Sequence, residues 1–207
     1  MNSSLIVTNG AVSYIGGISC YNYGTIEYYG VDNVTLKGSS VGGVTYENGN
    51  EGTIEHCYVR ADIELNGGSF SDVSDRIAGG IAGIIETDNA KISNSYSIVE
   101  ILVENMSATC YIGGLVGQSD GGTISSVYVA TSGTVSTATV GKVYGNCLKV
   151  TNSEKIYYNE QNLGSNIYGS GSYTGSATST QNPANEVSAL GSAFKTDGTS
   201  LKLSWES

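Results

Sequence analysis

The segment Tyr111–Tyr128 reads Y-I-G-G-L-V-G-Q-S-D-G-G-T-I-S-S-V-Y and contains two short motifs that recur along the chain. A glycine pair between apolar residues comes first. A turn rich in Asp and Gly follows, and a T-I-x-x-x-Y segment comes last. The same order appears three times earlier, at unequal spacing, so the chain is an array of internal repeats. The second glycines of the four pairs are Gly17, Gly43, Gly80 and Gly114.

The second motif aligns two columns of residues across the repeats. One column is aliphatic and consists of Ile26, Ile54, Ile92 and Ile124. Four residues later, the last three repeats carry Tyr58, Tyr96 and Tyr128, whereas the first carries Gly30. A fifth, degenerate repeat at 140–145 has Lys142 in place of the second glycine.

The repeated segments are short, β-branched and interrupted by glycine, which excludes helical repeats. Three short strands per repeat, with variable turns between them, predict one coil of a β-solenoid. Coils stacked about 4.8 Å apart tolerate length variation in their turns. We therefore predict an all-β parallel solenoid of about five coils over residues 1–160.

The repeated residues have predicted roles in this fold. The recurrent glycines predict close backbone approach, a bulge or a positive φ at a corner. The isoleucine column is expected to lie inside the solenoid. The tyrosine column is expected to be a structural ladder; if it faces outward, the alternative is a set of flat rings that hold a sugar.

The last part of the chain differs in composition. Residues 161–180 are rich in Gly, Ser and Thr and predict a loop. Residues 181–207 predict a C-terminal cap: Asn182 and Pro183 begin a short helix, Gly191 lies near its end, and a strand over 201–205 follows. We expect this cap to close the open end of the solenoid, since an exposed sheet edge recruits other chains.

The paired motifs resemble the GLUG repeat, and the resemblance covers roughly residues 11–160. GLUG repeats occur in bacterial surface proteins and in the non-catalytic region of some IgA-specific metallopeptidases. The resemblance implies a right-handed parallel β-helix in an exported protein of the bacterial cell surface or cell wall, and it supplies no catalytic residues. The ending is similar to chains of this kind that close with a Phe, an Asp and a Trp, here Phe194, Asp197 and Trp205.

Composition limits the partners. The formal net charge of -10 repels phosphate backbones, so nucleic acid is not an expected partner. The longest apolar stretches, near 98–103, are too short for a bilayer helix, so no membrane insertion is expected. Residues 1–10 lack the pattern of a secretory signal. The protein is therefore either intracellular or, as the resemblance implies, a segment of a longer exported chain with neighbouring domains.

Residues that could carry chemistry are sparse. His56, the single histidine, falls at the repeat position held by Tyr28, Asn94 and Ser126, and a structural role is favoured over that of a general base. The chain has four cysteines, Cys20, Cys57, Cys110 and Cys147. Free, buried thiols are the favoured interpretation, and a disulfide of undetermined pairing is the alternative. No zinc, phosphate-binding or nucleophile-elbow motif occurs, so no cofactor, metal site or catalytic residue is predicted.

One insertion offers a candidate ligand site. The loop between Leu65 and Arg76 contains Phe70, Asp72 and Asp75, an aromatic ring and two carboxylates next to Arg76. Solvated loop charge is the favoured interpretation, and a contact to a ligand or a weak calcium site is the alternative. We therefore expect a non-enzymatic surface module, either a spacer or an adhesin that binds a host glycan or surface protein. A polysaccharide-active lyase or hydrolase is the alternative.

Overall fold

The computed structural model describes residues 3–6, 13–65, 75–103, 109–150 and 152–207, and almost all regular structure there is β-strand. The first winding of the chain contains β1 (Ser3–Ile6), β2 (Tyr14–Gly16), β3 (Ser19–Asn22), β4 (Thr25–Glu27) and β5 (Gly30–Gly38). The second contains β6 (Ser40–Gly42), β7 (Thr45–Asn48), β8 (Thr53–Glu55) and β9 (Tyr58–Leu65).

From the third winding onward, the second motif and the strand after it merge into one strand. The third winding contains β10 (Asp75–Gly79), β11 (Ala82–Ile85) and β12 (Lys91–Val103). The fourth contains β13 (Thr109–Gly113), β14 (Val116–Asp120) and β15 (Thr123–Val135). The fifth contains β16 (Thr139–Gly141), β17 (Tyr144–Lys149) and β18 (Asn152–Asn159), and β19 (Tyr168–Gly171) and β20 (Ala177–Thr180) follow.

Successive windings pair in parallel and build three sheets in the described part of the chain. Sheet A holds the long strands in the order β1-β5-β9-β12-β15-β18-β20, with β4 and β8 alongside. Sheet B has the order β16-β13-β10-β6-β2, and sheet C the order β19-β17-β14-β11-β7-β3. The prediction of an all-β parallel solenoid is confirmed.

The second glycine of each pair allows the backbones of successive windings to approach closely. A Cβ atom on Gly80 would lie 2.1 Å from the carbonyl oxygen of Gly114, and one on Gly43 would lie 2.0 Å from that of Gly80. Any side chain there would overlap the backbone of the next winding. Neither Gly17, Gly43, Gly80 nor Gly114 has a positive φ. Of the three predicted roles, close approach therefore accounts for the repeat.

The isoleucine column lies inside the solenoid, as predicted. The register pairs Ile26 with Ile54, Ile54 with Ile92, and Ile92 with Ile124. Ile26 is 8% exposed and the other three are completely buried. Further along sheet A, Leu36, Ile63 and Ile101 form a second interior column in register. Each winding thus contributes aliphatic side chains to one continuous core.

A column of left-handed residues turns the chain between the second motif and the long strand. Its five members have φ values from 47° to 58° and are Tyr28, His56, Asn94, Ser126 and Lys155. Asn and His are enriched in this conformation, so the backbone strain is greatest at Tyr28, Ser126 and Lys155. The structural role predicted for His56 follows from this position. Its ring also stacks on Tyr28, with centroids 4.8 Å apart.

Residues 161–180 are not a simple loop. β19 pairs with β17, and β20 pairs with β18, so this segment extends sheets C and A. The loop prediction is wrong for these eight residues because backbone pairing to an exposed strand does not depend on apolar side chains.

The C-terminal segment lies on the side of the solenoid. A 3-10 turn (Pro183–Glu186) and α1 (Val187–Leu190) precede the antiparallel strands β21 (Phe194–Asp197) and β22 (Ser200–Leu203). The Asn182 side chain accepts a hydrogen bond from the backbone N–H of Ala184 at 3.0 Å, as expected of a helix N-cap. We call residues 183–207 the C-terminal strap. Instead of closing an end as expected, it packs on the outer face of sheet A.

Candidate functional site

The predicted tyrosine column faces away from the core and is covered by the C-terminal strap. Tyr96 is completely buried and Tyr128 is 2% exposed, in a cluster with Phe194, Leu201 and Leu203 of the strap. Because the strap fills the space above the Tyr96 and Tyr128 rings, these two rings are not open to a sugar. Tyr157 also joins the column, in register with Tyr128.

Polar contacts fasten the end of the strap. The Glu206 carboxylate, 7% exposed, accepts hydrogen bonds from the Tyr96 hydroxyl at 3.0 Å and from Arg60 Nη2 at 2.5 Å. The Arg60 guanidinium lies 4.6 Å from the centre of the Tyr58 ring. The Trp205 indole N–H donates to the carbonyl oxygen of His56 at 3.0 Å. Burial raises the pKa of Tyr96, so its phenol stays neutral and can donate.

Beside the strap, the outer face of sheet A forms an open groove of about 580 Å³. Its floor contains Ile98 and Ala130, and Arg60 lies where the groove meets the strap. At the far end, Asn159 and Gln161 line the turn after β18. This size is within the roughly 300–1,000 Å³ range of small-molecule sites.

One row of outward-facing residues crosses the groove. The register pairs Thr35 with Asp62, Asp62 with Glu100, and Glu100 with Ser132. Asp62 and Glu100 are both exposed. Like charges directly opposite each other on neighbouring strands destabilise a sheet. Stability therefore does not account for this pair, and a hydroxyl-bearing ligand would meet two acceptors flanked by Thr35 and Ser132.

The turn that ends the groove is held by the buried Asn162 side chain. Its Oδ1 accepts from the backbone N–H of Thr131 at 2.8 Å, and its Nδ2 donates to the carbonyl oxygens of Val129 at 3.2 Å and Lys142 at 3.3 Å. The shape of this wall is therefore fixed by hydrogen bonds within the protein.

The predicted loop site is not brought together in the described residues. Phe70 and Asp72 lie outside them, and Asp75 is the first residue of β10. Arg76 is only 1% exposed within β10. Arg76 is therefore not presented on an exposed loop, and a contact between Arg76 and a ligand stays a prediction.

Three of the four cysteines are buried, and the fourth is partly exposed. Cys57 and Cys147 are buried free cysteines, and burial raises the pKa of each to about 11. Cys110 is also buried. Cys20 is a free cysteine at intermediate exposure.

Within the described ranges, no group of three or more His, Cys, Asp or Glu is arranged to hold a metal ion. In the same ranges, no helix has the length and apolar character needed to cross a membrane.

Comparison of the chain with protein-family models, curated proteins and solved structures gave no match. The resemblance to GLUG repeats therefore stays a prediction from the motifs.

The sequence reasoning missed the carboxylate pair, although a signal for it existed. Asp62 and Glu100 each lie eight residues after an isoleucine of the interior column, Ile54 and Ile92. Extending the repeat alignment along the long strand places the two carboxylates next to each other.

Proposed function

We propose that this chain is a non-enzymatic, adhesin-type binding module of a bacterial surface protein, and that the groove on sheet A binds a glycan. The observation that carries the proposal is the row of Thr35, Asp62, Glu100 and Ser132 across an open groove. Hydroxyl and carboxylate groups suit the hydroxyl-rich surface of a sugar chain. The placement at a cell surface rests on the resemblance of the repeats.

A binding role is favoured over catalysis by the exposure of both carboxylates. Glycoside hydrolysis uses two carboxyl groups, of which the general acid is kept protonated by an apolar surrounding. Asp62 and Glu100 are both exposed to solvent instead. A polysaccharide-active enzyme is the second candidate, because such chemistry needs two carboxylates near each other, and Asp62 and Glu100 lie side by side on neighbouring strands of the groove.

The test compares two arginine substitutions on β15. Ser132→Arg places a long side chain in the groove, whereas Thr134→Arg places the same side chain two residues further along the outer face, outside the groove lining. Binding is measured on an immobilised panel of neutral, amino and uronic glycans. We expect Ser132→Arg to weaken binding at least tenfold and Thr134→Arg to leave it unchanged.

Two outcomes would reject the proposal. One is the absence of binding to every glycan of the panel, and the other is an equal loss in the two variants. Release of reducing ends or unsaturated products, abolished by Asp62→Asn and by Glu100→Gln, would instead establish the enzyme.

A further inference from the structure

A second surface carries exposed aromatic rings that the C-terminal strap does not cover. Tyr14, Tyr21 and Tyr23, from the first winding, are 41%, 48% and 52% exposed, and the rings of Tyr14 and Tyr21 contact the buried Tyr46 of β7. We call these four residues the tyrosine patch. Large apolar side chains grouped on a surface mark a site of interaction.

The rings of the patch are held in a fixed arrangement. The Tyr14 ring stacks on Tyr46 with centroids 4.4 Å apart, and Tyr21 meets the same ring edge-on at 6.2 Å. Tyr23 continues the row, with its centroid 6.3 Å from that of Tyr21 and the two planes 26° apart. A ligand that lies on these rings would therefore order few side chains, which lowers the entropic cost of binding.

A carboxylate borders the rings. The Tyr23 hydroxyl donates to Glu47 Oε1 at 2.8 Å, and Glu47 is opposite Tyr21 on the neighbouring strand. The hydrogen bond to Glu47 raises the pKa of Tyr23 to about 12, so the phenol is neutral at physiological pH. The patch thus combines apolar ring faces with a hydrogen-bond acceptor at their edge.

Charge limits what can occupy the patch. The charged side chains that act on the phenols of Tyr21 and Tyr23 are the carboxylates of Glu47 and Glu86. Negative charge here, in a chain of net charge -10, opposes an acidic glycan, nucleic acid or a second copy of the same chain. An uncharged ligand with an apolar face and hydroxyl edges meets no such opposition.

We propose that the tyrosine patch is a carbohydrate site that stacks the C–H faces of uncharged pyranose rings on Tyr21 and Tyr23. Glu47 accepts hydrogen bonds from sugar hydroxyls at the edge of the rings. Tyrosine supplies a rigid apolar surface with a polar end, which is what the two faces of a pyranose require. This site is separate from the groove and does not depend on it.

The test is calorimetric titration with neutral hexasaccharides of glucose, mannose, galactose and N-acetylglucosamine, with an oligouronate as the charged comparison. Tyr21→Ala is the variant, and Tyr29→Ala is its matched control, since Tyr29 is 55% exposed and lies outside the patch. We expect at least one neutral hexasaccharide to bind, Tyr21→Ala to weaken binding at least tenfold, and Tyr29→Ala to change it less than twofold. Thermal melting of each variant checks that it is folded.

Further variants keep the proposal falsifiable. Tyr23→Phe removes the hydroxyl but keeps the ring, and we expect a loss of two- to fivefold. The titrations are repeated in the Ser132→Arg protein, in which the groove is blocked. Tyr21→Ala should cause the same loss in that background, which separates the result from the function proposed above. The proposal is overturned if no neutral hexasaccharide binds at millimolar concentration, if the oligouronate binds more tightly, or if both alanine variants lose binding equally. Concentration-dependent dimerisation abolished by Tyr21→Ala would also overturn it, in favour of self-association.

Discussion

Truncation of Ile92 to alanine tests whether the repeat columns alternate between the inside and the outside of the solenoid. Ile92 is the first inward-facing residue of β12, and it is completely buried between Ile54 and Ile124 of the neighbouring strands. Ile98 lies on the same strand but faces outward and is 40% exposed. The two substitutions remove the same atoms from opposite faces, so the difference between them depends on burial.

The expected magnitude follows from the atoms removed. Ile→Ala deletes three carbons, which costs about 2.4 kcal/mol at full burial. The rigid columns above and below Ile92 leave little room for collapse, and the residual cavity adds roughly 1 kcal/mol. We therefore expect Ile92→Ala to lower the free energy of unfolding by about 3 to 4 kcal/mol. Ile98→Ala should lower it by about 1 kcal/mol, because that side chain is already partly hydrated.

Urea denaturation monitored by two probes measures both effects. Far-ultraviolet circular dichroism follows the sheets, and the fluorescence of the single tryptophan, Trp205, follows the C-terminal strap. Coincident transitions would justify a two-state free energy. Equal losses for Ile92→Ala and Ile98→Ala, or a larger loss for Ile98→Ala, would refute the assignment of faces.

Three other perturbations address the backbone and the buried thiols. Gly80→Ala should lower the free energy of unfolding by more than about 3 kcal/mol or prevent folding, because its Cβ would overlap backbone. Gly24→Ala, whose Cβ would lie in open space, should leave the melting temperature nearly unchanged. Ser126→Gly should raise the free energy of unfolding by about 0.5 to 1 kcal/mol, because glycine adopts a φ of 51° without strain. Its control, Ser125→Gly in extended backbone, should lower the free energy of unfolding. A melting temperature that falls in both variants would contradict the strain argument. Burial raises the pKa of the Cys57 thiol from 9.0 to about 11. The buried neutral thiol therefore contributes fully to the free energy of unfolding below pH 9, and this contribution is lost as the pH rises toward 11. Melting temperatures measured over that range should fall, and Cys57→Ala should flatten the decline.

The repeat pattern made the interior of this protein predictable. Ile26, Ile54, Ile92 and Ile124 could be aligned by eye, and each is buried because a solenoid gives equivalent residues equivalent environments. The glycine pairs were predictable for the same reason, although the choice among their three roles needed the backbone geometry.

The C-terminal strap was less predictable, because its position depends on contacts between distant parts of the chain. The short helix could be expected from Asn182, Pro183 and Gly191, but nothing near these residues indicates that Phe194 and Leu203 pack over the tyrosine column. The candidate groove depends on the same placement, since the strap borders it.

The exposure of the tyrosines was not predictable from the residue type. Tyr96 and Tyr21 are both aromatic residues in strands, yet the first is completely buried and the second is 48% exposed. The difference arises because the strap covers sheet A and leaves the outer side of β3 open. Aligned tyrosines in a repeat therefore show that their side chains share one face of a sheet. Whether that face is exposed to solvent depends on the rest of the fold.

The return of the C-terminal strap to the beginning of the solenoid changes how the module would transmit force. Trp205 bonds to His56 and lies against Tyr28 at one end of the stack, and β1 pairs with β5 at that same end. Polypeptide joined before β1 and after Trp205 would thus leave from the same end of the solenoid. Tension along such a chain would pass through the first windings and the strap and would bypass the later ones. The later windings would then project sideways as an unloaded arm, a geometry suited to presenting a surface and poorly suited to separating two domains in line.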